Sequence, residues 1–347
     1  MDGWKFVPQR PTQPSRVSVL TDTDLTENKL SSDHRPVRPV TGVYPNDRLK
    51  PDRGGNPTVK TWHRPCRGFC PWASVDRDLA ITDKEKCMTA TSPTHLDTPE
   101  QPQLRLTFVL VHGAFQTGAA WEYVAAELRR RGHAVHTPTI AGHGPNAPMN
   151  LTHDDAVASL VGYLREHNLS DVVLVGHSIA GSYISKAAEQ LPGLIKRLVF
   201  QGAFAAEDGN ALADEFPPED AAFFGMADTA HGFLLPFEVV RERACNDMDL
   251  ATADAIYAGM SPIPVAYFTD RLDLKVFYEL IGKGEVKTSY INPVNDFALP
   301  PGEFGAFPRF AQRLGPLCRI VQVQGAHYVM VTRPSELAEA LIQAGRD

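Results

Sequence analysis

The chain has 347 residues, with 41 Asp and Glu against 34 Lys and Arg and a formal net charge of -7. The length alone allows two domains. The acidic balance is a poor match for a phosphate backbone, so no nucleic-acid partner is expected.

Residues 1–103 show little hydrophobic periodicity. Of the 28 prolines, 12 fall in the first hundred residues, with 15 of the Lys and Arg and 13 of the Asp and Glu. Such a segment buries too little apolar surface to offset its ordering entropy and is expected to be a disordered extension. His63, Cys66 and Cys70 supply three possible ligands where structural zinc wants four, so no metal is expected. Met88 stands shortly before the first convincing strand and is a candidate start of the functional chain. The N-terminal MDGWKFVPQR lacks the apolar run of a signal peptide, and no segment approaches the roughly 20 apolar residues of a membrane span. The five cysteines suggest no disulfide framework. A cytoplasmic protein without a membrane partner is expected.

The pattern changes at residue 104, and residues 104–347 read as one domain. Residues 106–111 (LTFVLV) form a nearly continuous apolar run, as in a central parallel strand. Trp121, Val124, Ala125 and Leu128 then recur on one helical face, closed by Arg129–Arg131 and Gly132. Residues 134–139 read as a second strand. Thr152 and Asp155 resemble a capping pair ahead of an apolar face of Val157, Leu160, Val161 and Leu164. Residues 171–175 (DVVLV) are another buried strand, residues 179–190 a helix and residues 198–200 a further strand. The alternation resumes with a strand at 288–291, a helix at 304–314, a strand at 319–323 and a last helix from Pro334. This alternation predicts an α/β fold, a mostly parallel central sheet with helices on both faces. Between about 204 and 284 it breaks, and aromatic residues accumulate there, so a largely helical cap over a site is expected, most of its rings forming the cap's own core.

The chemistry centres on Gly176-His177-Ser178-Ile179-Ala180-Gly181, between an apolar strand and a helix. A serine on so tight a turn projects its hydroxyl above the sheet edge and aims the following helix's positive end at the reacting centre. Ala180 stands where the usual G-x-S-x-G pattern has its second glycine. A serine hydroxyl needs a base beside it. His327, after the last strand, is the candidate, ahead of His112, His143, His177 and His231. An acid must fix the imidazole tautomer. Asp296, after the strand at 288–291, is the candidate, with Glu207, Asp208, Asp270 and Asp273 as rivals.

The stretch Val109–Gly113 (VLVHG), the Ala141–Gly144 turn, the Gly176–Gly181 elbow and Gly325-Ala326-His327 resemble the α/β-hydrolase superfamily. Within it, residues 110–121 (LVHGAFQTGAAW) and 203–209 (AFAAEDG) are similar to the methylesterase and hydroxynitrile-lyase branch and its bacterial esterase relatives. The resemblance implies the chain order Ser178, Asp296, His327 for a catalytic triad, and the backbone N–H groups of Ala114 and Ile179 as the oxyanion hole. Phe115, Phe233, Tyr257 and Tyr328 are the candidate substrate contacts. The reaction implied is hydrolysis of a small, hydrophobic carboxylic ester or lactone through an acyl-enzyme, without a cofactor. The alternatives are a hydroxynitrile-lyase-like carbon–carbon lyase, a ligand receptor of low turnover, and a cofactor-free dioxygenase. The lyases commonly carry threonine at the position of Gly113 and lysine at that of Tyr328, and both departures favour hydrolysis.

Overall fold

Six strands make one parallel sheet in the order β2-β1-β3-β4-β5-β6, with β1 at Thr107–Val111, β2 at Ala134–His136, β3 at Val172–His177, β4 at Ile195–Gln201, β5 at Lys287–Pro293 and β6 at Arg319–Val323. The structure is a computed structural model, and it describes residues 105–191 and 193–347. The expectations for residues 1–103, including the His63, Cys66 and Cys70 group and a start near Met88, fall outside the described residues.

The central strands are apolar on both faces because both faces are covered. Phe108 to Val111 and Val172 to Val175 are fully buried, and each such side chain contributes roughly 1.5–3 kcal/mol by leaving water. The covering helices are α1 (Glu122–Arg130), α2 (His153–Glu166), α3 (Ala180–Gln190), α9 (Arg309–Arg313), α10 (Val329–Thr332) and α11 (Pro334–Gly345). Thr152 and Asp155 close a reciprocal capping box at the start of α2, each side chain accepting from the other's backbone N–H. Two expected elements are shorter than read from the sequence. The second strand stops at His136, where Pro138 soon ends any ladder pairing. The expected helix at 304–314 is helical only from Arg309, because Pro308 caps it and lacks the N–H an interior position needs.

Between β4 and β5 lie a 3-10 turn at Leu212–Glu215 and five helices, α4 (Pro218–Met226), α5 (Phe237–Arg243), α6 (Leu250–Ala258), α7 (Ala266–Thr269) and α8 (Lys275–Gly282). This segment is tied to the sheet domain by a buried carboxylate: Glu215 Oε2 accepts from Arg309 Nη1 at 2.5 Å and from Arg313 Nη1 at 2.7 Å. Among the described residues, no helix is long and apolar enough to cross a membrane.

Register decides which loops meet. Val111 pairs with Gly176, His177 with Gln201, and Pro293 with Val323. The loops after β1, β3, β5 and β6 therefore emerge side by side at the carboxyl edge of the sheet, where open α/β sheets bind ligands.

Candidate active site

Ser178 sits directly after β3 with φ +55°, a left-handed conformation that costs an L-residue energy and persists only when its surroundings enforce it. The enforcement is visible. Ser178 N–H donates to Gln201 O at 3.4 Å, and Ser178 O accepts from Gly181 N–H at 3.1 Å and Phe204 N–H at 3.0 Å. A Cβ on Gly181 would lie 2.1 Å from the Phe204 carbonyl oxygen, and one on Gly176 would lie 2.7 Å from that of Ala180. The close approach that demands glycine therefore falls at 181, which is why alanine is accommodated at 180.

Asp296 and His327 are joined by a hydrogen bond of 2.8 Å between Oδ2 and Nδ1. The other Asp296 oxygen, Oδ1, accepts from Ala298 N–H at 3.0 Å, so both lone-pair faces are engaged. Because an ionised carboxylate only accepts, His327 carries its proton on Nδ1 and leaves Nε2 as a basic lone pair. Their two loops are laced together by Val294 N–H to Val323 O and Asn295 N–H to Gly325 O, each 3.0 Å. Gly202, at φ +50°, passes so close that a Cβ there would meet Asp296 Oδ2 at 2.6 Å.

Ser178 and His327 line one cavity of about 360 Å³ beneath the helical segment. No hydrogen bond joins the two directly among the described residues. The loop after β1 enters the same cavity at Ala114 and Phe115. Phe115 has φ +66°, and its carbonyl accepts from Ser261 N–H at 2.9 Å. The backbone N–H groups of Ala114 and Ile179 donate to no group among the described residues, leaving both free for a ligand.

The rival acids are occupied elsewhere. Asp208 accepts from Leu274 N–H, Asp270 from His153 N–H, and Glu207 pairs with Arg313. Asp273 accepts from Lys275 N–H at the start of α8. Of the other histidines, His231 is exposed and bonded to Asp228. His112, His143 and His177 are buried, and burial holds the pKa of each below the ordinary range, His112 at about 4.

Of the four candidate substrate contacts, Phe115, Phe233 and Tyr328 line the cavity. Tyr257 does not. It lies on α6, behind α5, where its hydroxyl donates to Leu235 O at 3.0 Å and its ring packs on Phe237. The remaining wall is mostly phenylalanine, including Phe204, Phe216, Phe224 and Phe268. The sequence also leaves unsuspected a charged pair in this wall, Asp220 of α4 and Arg243 of α5.

A parallel sheet covered on both faces, a strained serine at the turn after its third strand, and an Asp–His pair on the loops after its last two define the α/β-hydrolase architecture. The chain belongs to the Alpha/beta hydrolase family, whose model matches residues 108–340. It is 31% identical over 256 residues to a carbendazim hydrolyzing esterase of Nocardioides sp. (strain SG-4G), covering 69% of this chain and 99% of that protein. It is 30% identical over 256 residues to a pyrethroid hydrolase of Sphingobium wenxiniae, covering 67% and 85%. A solved structure of an extracellular alpha/beta-hydrolase from a Paenibacillus species, described as sharing structural and functional homology with tobacco salicylic acid binding protein 2, superposes with TM-score 0.67 at 39% identity, over 70% of this chain and all of that one (100%).

Proposed function

We propose that this protein hydrolyses small, uncharged carboxylic esters or lactones through an acyl-enzyme on Ser178. The observation that carries the reading is the Asp296–His327 bond of 2.8 Å opening onto the same cavity as the Ser178 hydroxyl. The esterase and hydrolase names of its relatives support it as well.

In this mechanism Ser178 Oγ attacks the ester carbonyl carbon as its proton passes to His327 Nε2. Asp296 holds the imidazole in the required tautomer and stabilises its cationic form. The oxyanion takes hydrogen bonds from the backbone N–H groups of Ala114 and Ile179, donors of a kind worth about 2.7–4 kcal/mol of barrier each. The carbon–oxygen bond to the alcohol breaks, and the alcohol leaves with the proton from His327. Water then gives a proton to His327 and adds to the acyl carbon, and the carboxylic acid departs as Ser178 recovers its proton. These steps call on no cofactor. The phenylalanine wall favours a hydrophobic ester, with Phe115, Phe233 and Tyr328 among its contacts.

Hydrolysis is preferred to cyanohydrin cleavage because of the space at residue 113. A Cβ on Gly113 would lie 2.5 Å from His177 Nδ1 and 3.1 Å from Ser178 Cβ. The threonine that the lyases commonly place there does not fit this backbone. A cytoplasmic location is part of this proposal, and cell fractionation checks it.

The test is turnover of a panel of p-nitrophenyl esters and small lactones by the wild type and Ser178→Ala. The expected loss in the variant is at least about 10³-fold. Equal rates would remove the proposal, and cyanide release from a cyanohydrin would replace it with the lyase.

A further inference from the structure

The cavity wall is almost entirely apolar, and the Arg243–Asp220 pair breaks it. Arg243, the last residue of α5, donates through Nη1 to Asp220 Oδ2 and through Nη2 to Asp220 Oδ1, the latter at 3.1 Å. This two-pronged pairing commits one N–H of each terminal nitrogen. The second N–H of each, and the Nε–H, have no partner among the described residues. The carboxylate, by contrast, is engaged on both oxygens.

Exposure orients the pair within the cavity. The Arg243 side chain is 36% exposed and that of Asp220 12%, whereas Ser178 is only 8% exposed. Phe223, 43% exposed, lines the cavity on the same outer side. Among the polar groups that line the cavity, the guanidinium is therefore the more open to solvent and the serine the more enclosed, and most of the remaining lining is phenylalanine. Two charges facing an apolar cavity lose hydration, a cost that a pair recovers only with good geometry and further hydrogen bonds. Here the pairing is two-pronged, and Arg243, a residue of the cavity lining, keeps donors that no protein group takes up among the described residues.

We propose that Arg243, held by Asp220, is a specificity subsite that binds a hydrogen-bond acceptor at the end of the substrate remote from the scissile carbonyl. This rests on the ester-hydrolase reading and deepens it. Arginine and aspartate together are neutral, so the subsite gives no net attraction for a free anion. What it offers is donors without acceptors. The substrate class is thus an uncharged ester with an aromatic middle, for the phenylalanine wall, and a carbonyl, ether oxygen or ring nitrogen at its outer end. A plain hydrocarbon tail would leave the guanidinium donors desolvated and unpaired, the mechanism by which polar sites reject analogues lacking the matching group.

The experiment uses two p-nitrophenyl arylalkanoates that differ only in whether a ketone or a methylene stands at the far end. The wild type is expected to favour the ketone by about tenfold in KM, with similar kcat. That preference is expected to vanish in the double variant Arg243→Leu, Asp220→Leu and to be partly retained in Arg243→Lys, which keeps the ion pair but not the planar fork. In parallel, calorimetry measures the binding of the corresponding non-hydrolysable amides to Ser178→Ala, independently of turnover. An absent preference in the wild type, or one that survives the double variant, overturns the subsite. If no ester is turned over while the Ser178→Ala protein still discriminates the two amides, the hydrolase reading fails and the subsite stands.

Discussion

The Nδ1 of His112 lies 2.9 Å from the carbonyl oxygen of Gly113. Nε2 of the same ring accepts from Ile140 N–H at 3.1 Å, so the ring is neutral and its proton is on Nδ1, donating to Gly113. That carbonyl belongs to the same peptide unit as the Ala114 N–H. In a trans peptide the two point opposite ways, so holding one aims the other. His112 is therefore a positioning residue for the proposed oxyanion donor. His112→Phe keeps a ring but removes both bonds, and kcat is expected to fall by about 10²-fold with KM little changed. His112→Asn restores a donor close to the Nδ1 position and is expected to recover part of that loss. Steady-state kinetics on a p-nitrophenyl ester checks both, and a loss confined to KM would contradict the assignment.

Gly202 performs the matching task for Asp296. A methyl group there would press on the carboxylate oxygen that faces His327, at a φ that already disfavours alanine. Gly202→Ala is expected to lower kcat by about 10²-fold, since small misplacements of reacting groups cost that much. Its thermal midpoint should fall modestly, because the left-handed backbone costs alanine about 1–2 kcal/mol. Unchanged kcat would mean that Asp296 is free to move aside.

Much of this site could be read from local pattern. Residues 172–175 are apolar on both faces, as a covered strand requires, whereas Asp171 is exposed and outside β3, and the serine that follows lies between Gly176 and Gly181 on a tight turn. Asp296 and His327 stand as candidates because each lies just beyond a strand at the same sheet edge, but chain order admits Asp208 as well, and only the 2.8 Å contact with His327 favours Asp296. The cap was different. Asp220 and Arg243 sit on separate short helices, and nothing in their spacing reveals that they meet. Tyr257 and Phe233 look alike as sequence, yet α6 lies behind α5 and turns Tyr257 away, while Phe233, bridged to Ile263, faces the cavity. Packing between short helices decides this, and hydrophobic periodicity carries little of it.

Acid should weaken the fold through its buried histidines. Burial is the first cause of the low pKa of His112 and of His153, each held at about 4 against an ordinary 6.5. The unfolded chain binds these protons more readily than the folded one. Their contribution is therefore complete above pH 6.5 and is lost as pH falls from there toward about 4. Each such ring adds a slope of up to about 1.4 kcal/mol per pH unit in that window. His153→Gln keeps a donor for Ser182 Oγ, which Nε2 now meets at 2.8 Å, but does not titrate. Urea denaturation across pH 4–7.5 should show a shallower acid slope in this variant, and an unchanged slope would exclude His153 as a contributor.

Glu215 should dominate the electrostatic stability of the cap attachment. Its side chain is 1% exposed and receives Arg309 and Arg313, whose side chains are 22% and 19% exposed. It also accepts Glu207 N–H at 3.0 Å. Glu215→Ala removes the buried carboxylate that both guanidinium groups share, leaving Arg309 with backbone acceptors only, Arg313 with Glu207 and a backbone acceptor, and the Glu207 amide unpaired, so a cost of about 3 kcal/mol is expected, or roughly 6–12 °C in thermal midpoint for a domain of this size. The Lys283–Glu279 pair is the contrast. It spans 3.7 Å with side chains 61% and 53% exposed, and Lys283→Ala should change stability by less than about 0.5 kcal/mol. Thermal denaturation of both variants beside the wild type checks the pair of expectations. Similar midpoints for the two would show that solvent reaches Glu215 far more freely than its burial implies.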